Sequence, residues 1–248
     1  MSAMDISETL RMDRAELSRM IDHTLLKAEA TEAEIRTVVA EAAMHRFASV
    51  CVNGRWVKLV SGLLREAGVG DSAGDRPVHT CAVVGFPLGA GRSTVKAIEA
   101  SCAVKDGAQE IDMVIALPTL MAGDLEGARQ DIFEVVRAAK SVSAGTIVKV
   151  ILETAALTET QIALGCRAAV EGGADFVKTS TGFHPKGGAT VQAVRWLKQY
   201  AVGLKVKASG GIRDLDTARE MIAAGADRLG CSAGVAIVAG VPASGAGY

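Results

Sequence analysis

Short apolar runs rich in β-branched residues alternate along the chain with amphipathic stretches, at intervals of roughly 25 to 35 residues. The stretches between the runs have the period of surface helices, and one of them begins with Thr31 three residues before Glu34, the spacing of a capping box. Eight runs are predicted as strands, at residues 19–26, 48–53, 78–86, 110–117, 146–154, 176–183, 205–212 and 228–234. Eight strand–helix units in 248 residues favour a closed (β/α)8 barrel, the TIM-barrel architecture, over an open doubly wound sheet.

The barrel is expected to form one domain of residues 1–248. No Pro/Ser-rich linker, low-complexity tract or block of like charge divides the chain. Residues 1–18 are expected to be an N-terminal extension that carries an additional helix at 5–18, packed before the first strand. Residues 241–248 are expected to be a flexible C-terminal tail.

Composition and charge favour a small-molecule partner. The formal net charge is −1 and the charges are interleaved, so neither nucleic acid nor an anionic membrane surface is indicated. The last twenty residues carry no charge but are mostly Gly, Ala and Ser with Pro242 among them, which argues against a membrane span. The first twenty lack the apolar core of a signal peptide.

The cysteine and histidine patterns indicate neither a disulfide framework nor a metal site. The five cysteines are odd in number and include no CxxC pair, which is typical of a protein of the reducing cytoplasm. The four histidines show no HxH or HExxH spacing, so no metal is expected. No GxGxxG or Walker-type loop follows the first strand, so no nucleotide cofactor is expected.

Charged residues interrupt several of the apolar strands. They are Asp112, Lys149, Glu153, Lys178 and Lys207, and in each strand they share one side while the valines and leucines take the other. A strand of a parallel barrel is normally apolar on both faces. We therefore expect these charges to point into the barrel and to converge there.

Two interpretations of this convergence remain open. The structural one is a buried ion-pair network in which the three lysines meet Asp112, Glu153 and Asp22. The functional one starts from Lys178 and Lys207, which are predicted on neighbouring strands with their amines within about 6 Å. At that distance their repulsion is about 2.8 kcal/mol at an effective dielectric near 20. Such repulsion favours a neutral, nucleophilic amine, as formation of an imine with a carbonyl compound requires.

Glycine-rich turns after strands seven and eight predict a phosphate site. "SGGIR" (209–213) and "GCSAG" (230–234) each precede a helix, at the place where barrels of this kind often bind phosphate. Glycine lets backbone N–H groups approach an anion closely. The loop "GFHPKGGAT" after strand six is expected to close over the same region.

These motifs resemble those of deoxyribose-phosphate aldolase along the chain from about residue 20 to 240. The resemblance is carried by "VKTSTGF" and "VKASGGIR", together with "EIDMVI", "VKVILET", "DHTLL", "CVN" and "VVGFPLG". It implies a class I aldolase that reversibly cleaves 2-deoxy-D-ribose 5-phosphate to acetaldehyde and D-glyceraldehyde 3-phosphate without metal or cofactor. It also implies a sugar phosphate and aldehydes as the partners, and it leaves open a homo-oligomer, dimer or tetramer.

The resemblance also assigns residues. The imine-forming lysine falls on Lys178, and the proton-transfer groups fall on Lys207 and Asp112. Asp22 and Thr24 on the first strand are further candidates that orient groups or contact hydroxyls, and Lys149 is a candidate beside them. The phosphate contacts fall, mainly through backbone, on Gly210, Gly211, Ile212, Arg213, Gly230 and Ser232.

This sequence departs from the family pattern in two places. The segment after strand six is one residue longer than expected. Ala233 stands where some members have a second serine, so only its backbone N–H is expected at the phosphate. The chain ends in Tyr248, and some members place a terminal tyrosine over the site as a proton carrier. Two alternatives would account for the same motifs. One is another phosphate-binding barrel, such as a sugar-phosphate isomerase or a different imine-forming aldolase, and the other is a catalytically silent barrel that binds a sugar phosphate as a sensor or assembly partner.

Overall fold

A computed structural model describes residues 12–71, 74 and 76–242. Eight parallel strands close into a barrel in the order β1 to β8, each paired with its neighbours in sequence and β8 with β1. The predicted closed (β/α)8 barrel is therefore confirmed. The single-domain prediction for residues 1–248 and the tail at 241–248 stay predictions, since 243–248 lie outside the described residues.

The strands are short, and all eight lie within the predicted runs. Their bounds are β1 Ile21–Leu25, β2 Ser49–Val52, β3 His79–Val84, β4 Glu110–Val114, β5 Ile147–Ile151, β6 Phe176–Lys178, β7 Lys205–Ser209 and β8 Arg228–Cys231.

Ten α-helices accompany them in the described part of the chain. Their bounds are α1 Arg14–Ser18, α2 Glu32–His45, α3 Val57–Glu66, α4 Ser93–Lys105, α5 Leu117–Met121, α6 Leu125–Val142, α7 Glu159–Glu171, α8 Val191–Tyr200, α9 Leu215–Ala223 and α10 Gly234–Ala239. None of these helices is long and apolar enough to cross a bilayer.

Two helix features predicted from the sequence are present in the structure. Thr31 and Glu34 form the predicted capping box of α2. The additional N-terminal helix is present as α1, which begins after Asp13 with a capping box of its own, whereas the prediction began it at residue 5, outside the described residues.

All eight strands end earlier than predicted, and the structure gives a local reason for three of them. β6 stops at Lys178 because the Thr179 hydroxyl bonds the backbone N–H and C=O of Ser209 on β7. β7 stops at Ser209 because Gly210 and Gly211 turn the chain with φ of +90° and +85°, a conformation that favours glycine. Beyond β5, Glu153 takes a left-handed conformation with φ of 60°.

The apolar core lies between the barrel and its helices. Outward-facing strand residues such as Val50, Ile111, Val150 and Val206 pack in one large cluster with residues of the helices. Inside the barrel, the apolar residues form a second, small cluster of Leu26, Cys51, Cys81 and Val83. Most of the barrel interior is left to polar and charged side chains.

One buried ion pair outside the barrel ties α4 to α6. Lys96 and Asp131 are almost fully buried, and Lys96 Nζ lies 2.8 Å from Asp131 Oδ2. The same carboxylate accepts hydrogen bonds from Ser93 Oγ and the backbone N–H of Ala116, and Lys96 Nζ donates to the C=O of Val114. The pair therefore fixes the loop that follows β4.

Replacement of Asp131 by Ala should destabilise the fold by about 3–5 kcal/mol, since it leaves the Lys96 ammonium buried without a counter-charge. Urea unfolding monitored by circular dichroism measures the change in unfolding free energy. The matched control is Glu171→Ala, which breaks the exposed Arg167–Glu171 pair and should cost about 0.5 kcal/mol or less. Equal losses in the two variants would contradict the structural role of the Lys96–Asp131 pair.

Candidate active site

The charges predicted to point inward do so, and they meet around one carboxylate. Asp112, at the middle of β4, is fully buried. Its Oδ1 accepts from Lys149 Nζ at 2.7 Å and from the Cys81 thiol at 3.2 Å. Its Oδ2 accepts from Lys178 Nζ at 2.7 Å and from Lys207 Nζ at 2.8 Å. Three strands thus each direct one ammonium group at the same aspartate.

Two further buried carboxylates and one guanidinium complete the arrangement. Glu110 Oε2 lies 2.6 Å from Lys149 Nζ, and Asp22 Oδ2 lies 2.5 Å from Lys207 Nζ. Arg228 pairs with Asp22 and, at 3.0 Å, with Glu110. We call these seven side chains the interior ion cluster: Asp22, Glu110, Asp112, Lys149, Lys178, Lys207 and Arg228.

Glu110 and Arg228 were missed by the sequence reasoning, although a signal existed for each. Glu110 stands two residues before Asp112 and therefore on the same inward face of β4. Arg228 stands two residues before Gly230 on β8, so the two residues face the same side of the strand. Each opens its strand, at the end of the barrel opposite the predicted site, where a charge is easily taken for a solvated one.

The cluster holds its three acids ionised. Burial alone would raise the pKa of each carboxyl group, but the surrounding cations outweigh it. The three lysines hold the pKa of Asp112 well below its ordinary value. Lys149 and Arg228 do the same for the pKa of Glu110, and Arg228 is the main cation that lowers the pKa of Asp22.

The best-paired bases are held protonated in the same way. Burial opposes the charge of Lys207, but Asp112 and Asp22 outweigh it and raise the pKa of that amine. Lys149 is surrounded by Asp112, Glu110 and Asp22, and its pKa is raised well above the ordinary value despite full burial.

Lys178 has the poorest supply of counter-charge among the four bases. Lys149, Lys207 and Arg228 each pair with at least two carboxylates, whereas among the residues that the structure describes Lys178 pairs with Asp112 alone. It also ends its strand, at the carboxyl-terminal mouth of the barrel. With four bases and three acids, the cluster carries one positive charge in excess when every group is ionised.

The predicted proximity of Lys178 and Lys207 is confirmed. The two residues are register partners on β6 and β7, and both amines bond Asp112 Oδ2, so their nitrogens lie within about 5.5 Å. The expectation that repulsion from Lys207, together with burial, favours a neutral Lys178 amine did not include the shared carboxylate, which lies against both amines and offsets their repulsion.

Two other expected members of the site make different contacts. Thr24 lies inside the barrel but donates its hydroxyl to the C=O of Asp22 on its own strand, at 2.8 Å. Glu153 was expected to meet the lysines in the ion-pair interpretation. It instead accepts hydrogen bonds from the backbone N–H and the hydroxyl of Thr181. The left-handed turn at Glu153 accompanies this change of partner, and sequence alternation does not reveal it.

The glycine-rich turns after β7 and β8 form one small cavity of about 60 Å³ at the barrel mouth. The structure brings together six predicted phosphate contacts there and adds Gly182 and Cys231; the predicted six are Gly210, Gly211, Ile212, Arg213, Gly230 and Ser232. Ala233 does not line the cavity and begins the turn into α10. Gly188, in the loop after β6, packs directly on Gly210, so this loop borders the same region as predicted.

Gly230 joins the phosphate cavity to the interior ion cluster. A Cβ atom at this position would lie 2.2 Å from Ser209 Oγ and 2.9 Å from Lys207 Cε. Only glycine therefore leaves room for the lysine on the neighbouring strand.

Cys51, Cys81 and Asp112 are the one set of side chains with metal-ligand spacing in the part of the chain that the structure describes. The carboxylate of this set already bonds three ammonium groups, which would repel a divalent cation. We therefore assign no metal to it.

Tyr248, a predicted site residue, lies outside the described residues.

Comparison with known proteins links this geometry to one family. The DeoC/LacD family of aldolases matches residues 17–240. Among curated relatives, the deoxyribose-phosphate aldolase of Carboxydothermus hydrogenoformans is 52% identical over 227 residues, which cover 91% of this chain and 95% of the relative. The corresponding protein of an Exiguobacterium species is 49% identical, with coverage of 91% and 96%.

Solved structures agree with the sequence comparison. A tetrameric deoxyribose phosphate aldolase from Aeropyrum pernix superposes with a TM-score of 0.84 at 34% identity, over 96% of this chain and 97% of that one. An aldolase designated QR15 superposes with a TM-score of 0.80 at 40% identity, over 90% and 95%.

The depressed pKa values of the cluster's carboxyl groups predict how stability depends on pH. Their contribution is complete above their ordinary pKa near 4 and is lost as the pH falls below it, by up to about 1.4 kcal/mol per pH unit for each carboxylate. Glu110→Gln removes one of the three, so its unfolding free energy should fall less between pH 5 and pH 3 than that of the unmodified chain. Urea titrations at the two pH values measure this. Glu32→Gln, which removes an exposed carboxylate, should keep the original acid sensitivity, and the same sensitivity in Glu110→Gln would contradict the assignment.

Proposed function

The chain belongs to the DeoC/LacD family of aldolases, and from this premise we propose that it is a deoxyribose-phosphate aldolase in which Lys178 forms the imine. The reaction is the reversible cleavage of 2-deoxy-D-ribose 5-phosphate to acetaldehyde and D-glyceraldehyde 3-phosphate. The observation that carries the role of Lys178 is its place at the barrel mouth as the base with the fewest carboxylate partners.

The neutral amine of Lys178 attacks C1 of the open-chain sugar phosphate. Loss of water from the resulting carbinolamine gives a protonated imine, which serves as an electron sink. A base then takes the C3 hydroxyl proton, C3 becomes a carbonyl, and the electrons of the C2–C3 bond move into an enamine. D-glyceraldehyde 3-phosphate departs, the enamine is protonated at C2, and water releases acetaldehyde and the free amine.

Lys207 and Asp112 are the groups proposed to move protons in these steps. Asp112 Oδ2 bonds the Lys178 amine directly, and the Lys207 ammonium bonds the same oxygen, so a proton can pass between the amine or the carbinolamine and Lys207 through this carboxylate. Lys149 and Asp22 support this arrangement by holding Asp112 Oδ1 and the Lys207 ammonium group. Thr24 is proposed as a hydroxyl contact from β1.

The substrate phosphate is proposed to bind in the cavity formed after β7 and β8. Gly210 and Gly211 bring backbone close to it, Ser232 supplies a hydroxyl and Arg213 supplies charge. Anchoring the phosphate would leave the other end of the sugar to reach Lys178, which lowers the entropic part of the barrier. Tyr248 stays a proposal as a proton carrier over the site.

We also propose a homo-oligomer, because a relative of the same fold is tetrameric. A reducing compartment, the cytoplasm, suits the chain because all five of its cysteines are free thiols. The proposed reaction needs no cofactor.

Reduction with borohydride in the presence of acetaldehyde or substrate tests the imine. The added mass should map to the peptide that contains Lys178 and should correspond to a reduced two-carbon adduct. A sugar-phosphate isomerase that uses the lysines only as charges would give no adduct under turnover conditions, and that result would overturn the assignment.

The matched variants are Lys178→Ala and Lys186→Ala, the latter an exposed lysine on the loop after β6. The first should lose both the adduct and cleavage while still binding phosphate, and the second should keep the adduct. Cleavage that persists in Lys178→Ala would exclude Lys178 as the nucleophile.

Ser232→Ala tests the phosphate site. Loss of a hydrogen bond to a charged group costs about 1.5–3 kcal/mol, so kcat/KM for the phosphorylated sugar should fall roughly 10- to 100-fold. The value for unphosphorylated 2-deoxy-D-ribose should stay unchanged, since it offers no phosphate to this hydroxyl. Equal losses with both substrates would place the effect outside phosphate binding.

A further inference from the structure

The excess positive charge of the interior ion cluster has a definite source. Three of its four bases are lysines, each of which can release a proton, whereas the guanidinium of Arg228 stays charged at any pH at which the protein is folded. Its partners Asp22 and Glu110 are each shared with a lysine. Arg228 is therefore a permanent charge for which the cluster provides no carboxylate of its own.

The surroundings of Arg228 fit a role inside the cluster rather than at the substrate. Its side chain is 12% exposed and lies over the ring of Phe176, with Cζ 5.9 Å from the ring centroid. It opens β8, while Lys178 closes β6 at the opposite end of the barrel. It does not line the phosphate cavity.

We propose that Arg228 and Glu110 set the pH at which Lys178 becomes nucleophilic, with Arg228 driving the proton off the amine and Glu110 retaining it. The proposal rests on the function above, in which Lys178 must react as a neutral amine. Both are positioning residues, since they act on Lys178 through the charge of the cluster and touch no substrate. The two residues carry opposite charges, so their replacement should shift this pH in opposite directions.

Other titratable groups face the cluster without belonging to it. In the described part of the chain they are Arg19 after α1, Cys51 on β2, His79 and Cys81 on β3, Glu153 after β5, Lys205 on β7 and Cys231 on β8. His79 bonds Glu110 at 2.8 Å, and a proton on His79 would add to the excess charge. Glu153 bonds Thr181, and Lys205 is exposed over Phe176. The Cys51 thiol could relieve the excess by ionising, so it needs its own control.

The test is the pH dependence of kcat/KM, whose acidic limb reports groups of the free enzyme that must lose a proton. Arg228→Gln removes the fixed cation and leaves three bases facing three acids. The acidic limb should move to higher pH by roughly one unit. Since the substrate phosphate titrates in the same way in every reaction, differences between variants report on the protein.

Glu110→Gln should move the limb in the opposite direction, because it leaves four bases facing two acids. The double variant Arg228→Gln/Glu110→Gln restores an excess of one positive charge and should return the limb to its original position. Arg228→Lys keeps the charge and should leave the limb in place. If Arg228→Gln does not fold, Glu110→Gln and Arg228→Lys still decide the outcome.

Cys51→Ser is the matched control, since this thiol faces the cluster but carries none of the seven counted charges. The acidic limb of the Cys51→Ser profile should coincide with that of the unmodified chain. A shift would show that ionisation of Cys51, and not loss of a proton from Lys178, offsets the excess positive charge of the cluster. A merely structural role for Arg228 and Glu110 would lower activity at every pH without moving the limb, or would move it in the same direction in both variants. Either result overturns the proposal.

Failure of the proposed function would look different. Without an imine at Lys178, the unmodified chain gives no borohydride adduct, and the pH profiles have no bearing on that amine. An adduct at Lys178 together with unshifted profiles would reject the roles of Arg228 and Glu110 alone.

Discussion

The carboxylate of Asp112 is the contact on which the barrel interior depends. Three ammonium groups from β5, β6 and β7 point at its two oxygens in a space with almost no access to water. Without it those cations would face one another across a few ångströms, at a cost that no hydrophobic packing in this small space could offset. The register that pairs Asp112 with Lys149, and Lys178 with Lys207, is what makes the shared contact geometrically available.

This interior can be so polar because stability is carried elsewhere. Barrels of this class usually fill their centre with layers of branched apolar residues. Here the large apolar cluster lies between the strands and the helices, and the centre contributes only a small one. The chain has separated packing from chemistry: outward strand positions hold the helices, and inward positions hold charge. The stability of such a polar interior then depends on the balance of its charges rather than on how completely its side chains fill the space.

The sequence predicted what depends on local pattern and missed what depends on register. Strand alternation sufficed to place Asp112, Lys149, Lys178 and Lys207 inside, and glycine spacing sufficed to place Gly210 and Gly230 at the mouth. The partners of those charges follow from the stagger of eight strands, which no single run encodes. Glu110 and Arg228 meet through that stagger although they lie 118 residues apart. Glu153 turned away because of a backbone conformation that alternation does not report.

The two ends of the cluster carry different bases, Lys178 and Arg228, and the difference follows from whether each side chain can lose a proton. An amine that must alternate between charged and neutral forms has to be a lysine, and it has to sit where substrate arrives, as Lys178 does at the end of β6. A charge that must never change is best supplied by a guanidinium, and it is best kept away from the substrate, as Arg228 is at the start of β8 over Phe176. The lysines between them, Lys149 and Lys207, each have at least two carboxylate partners, which favour the charged form of both amines. Exchanging the two bases would leave the charge count the same and remove the nucleophile, so the order of residues along the cluster, and not its net charge alone, is what the proposed reaction requires.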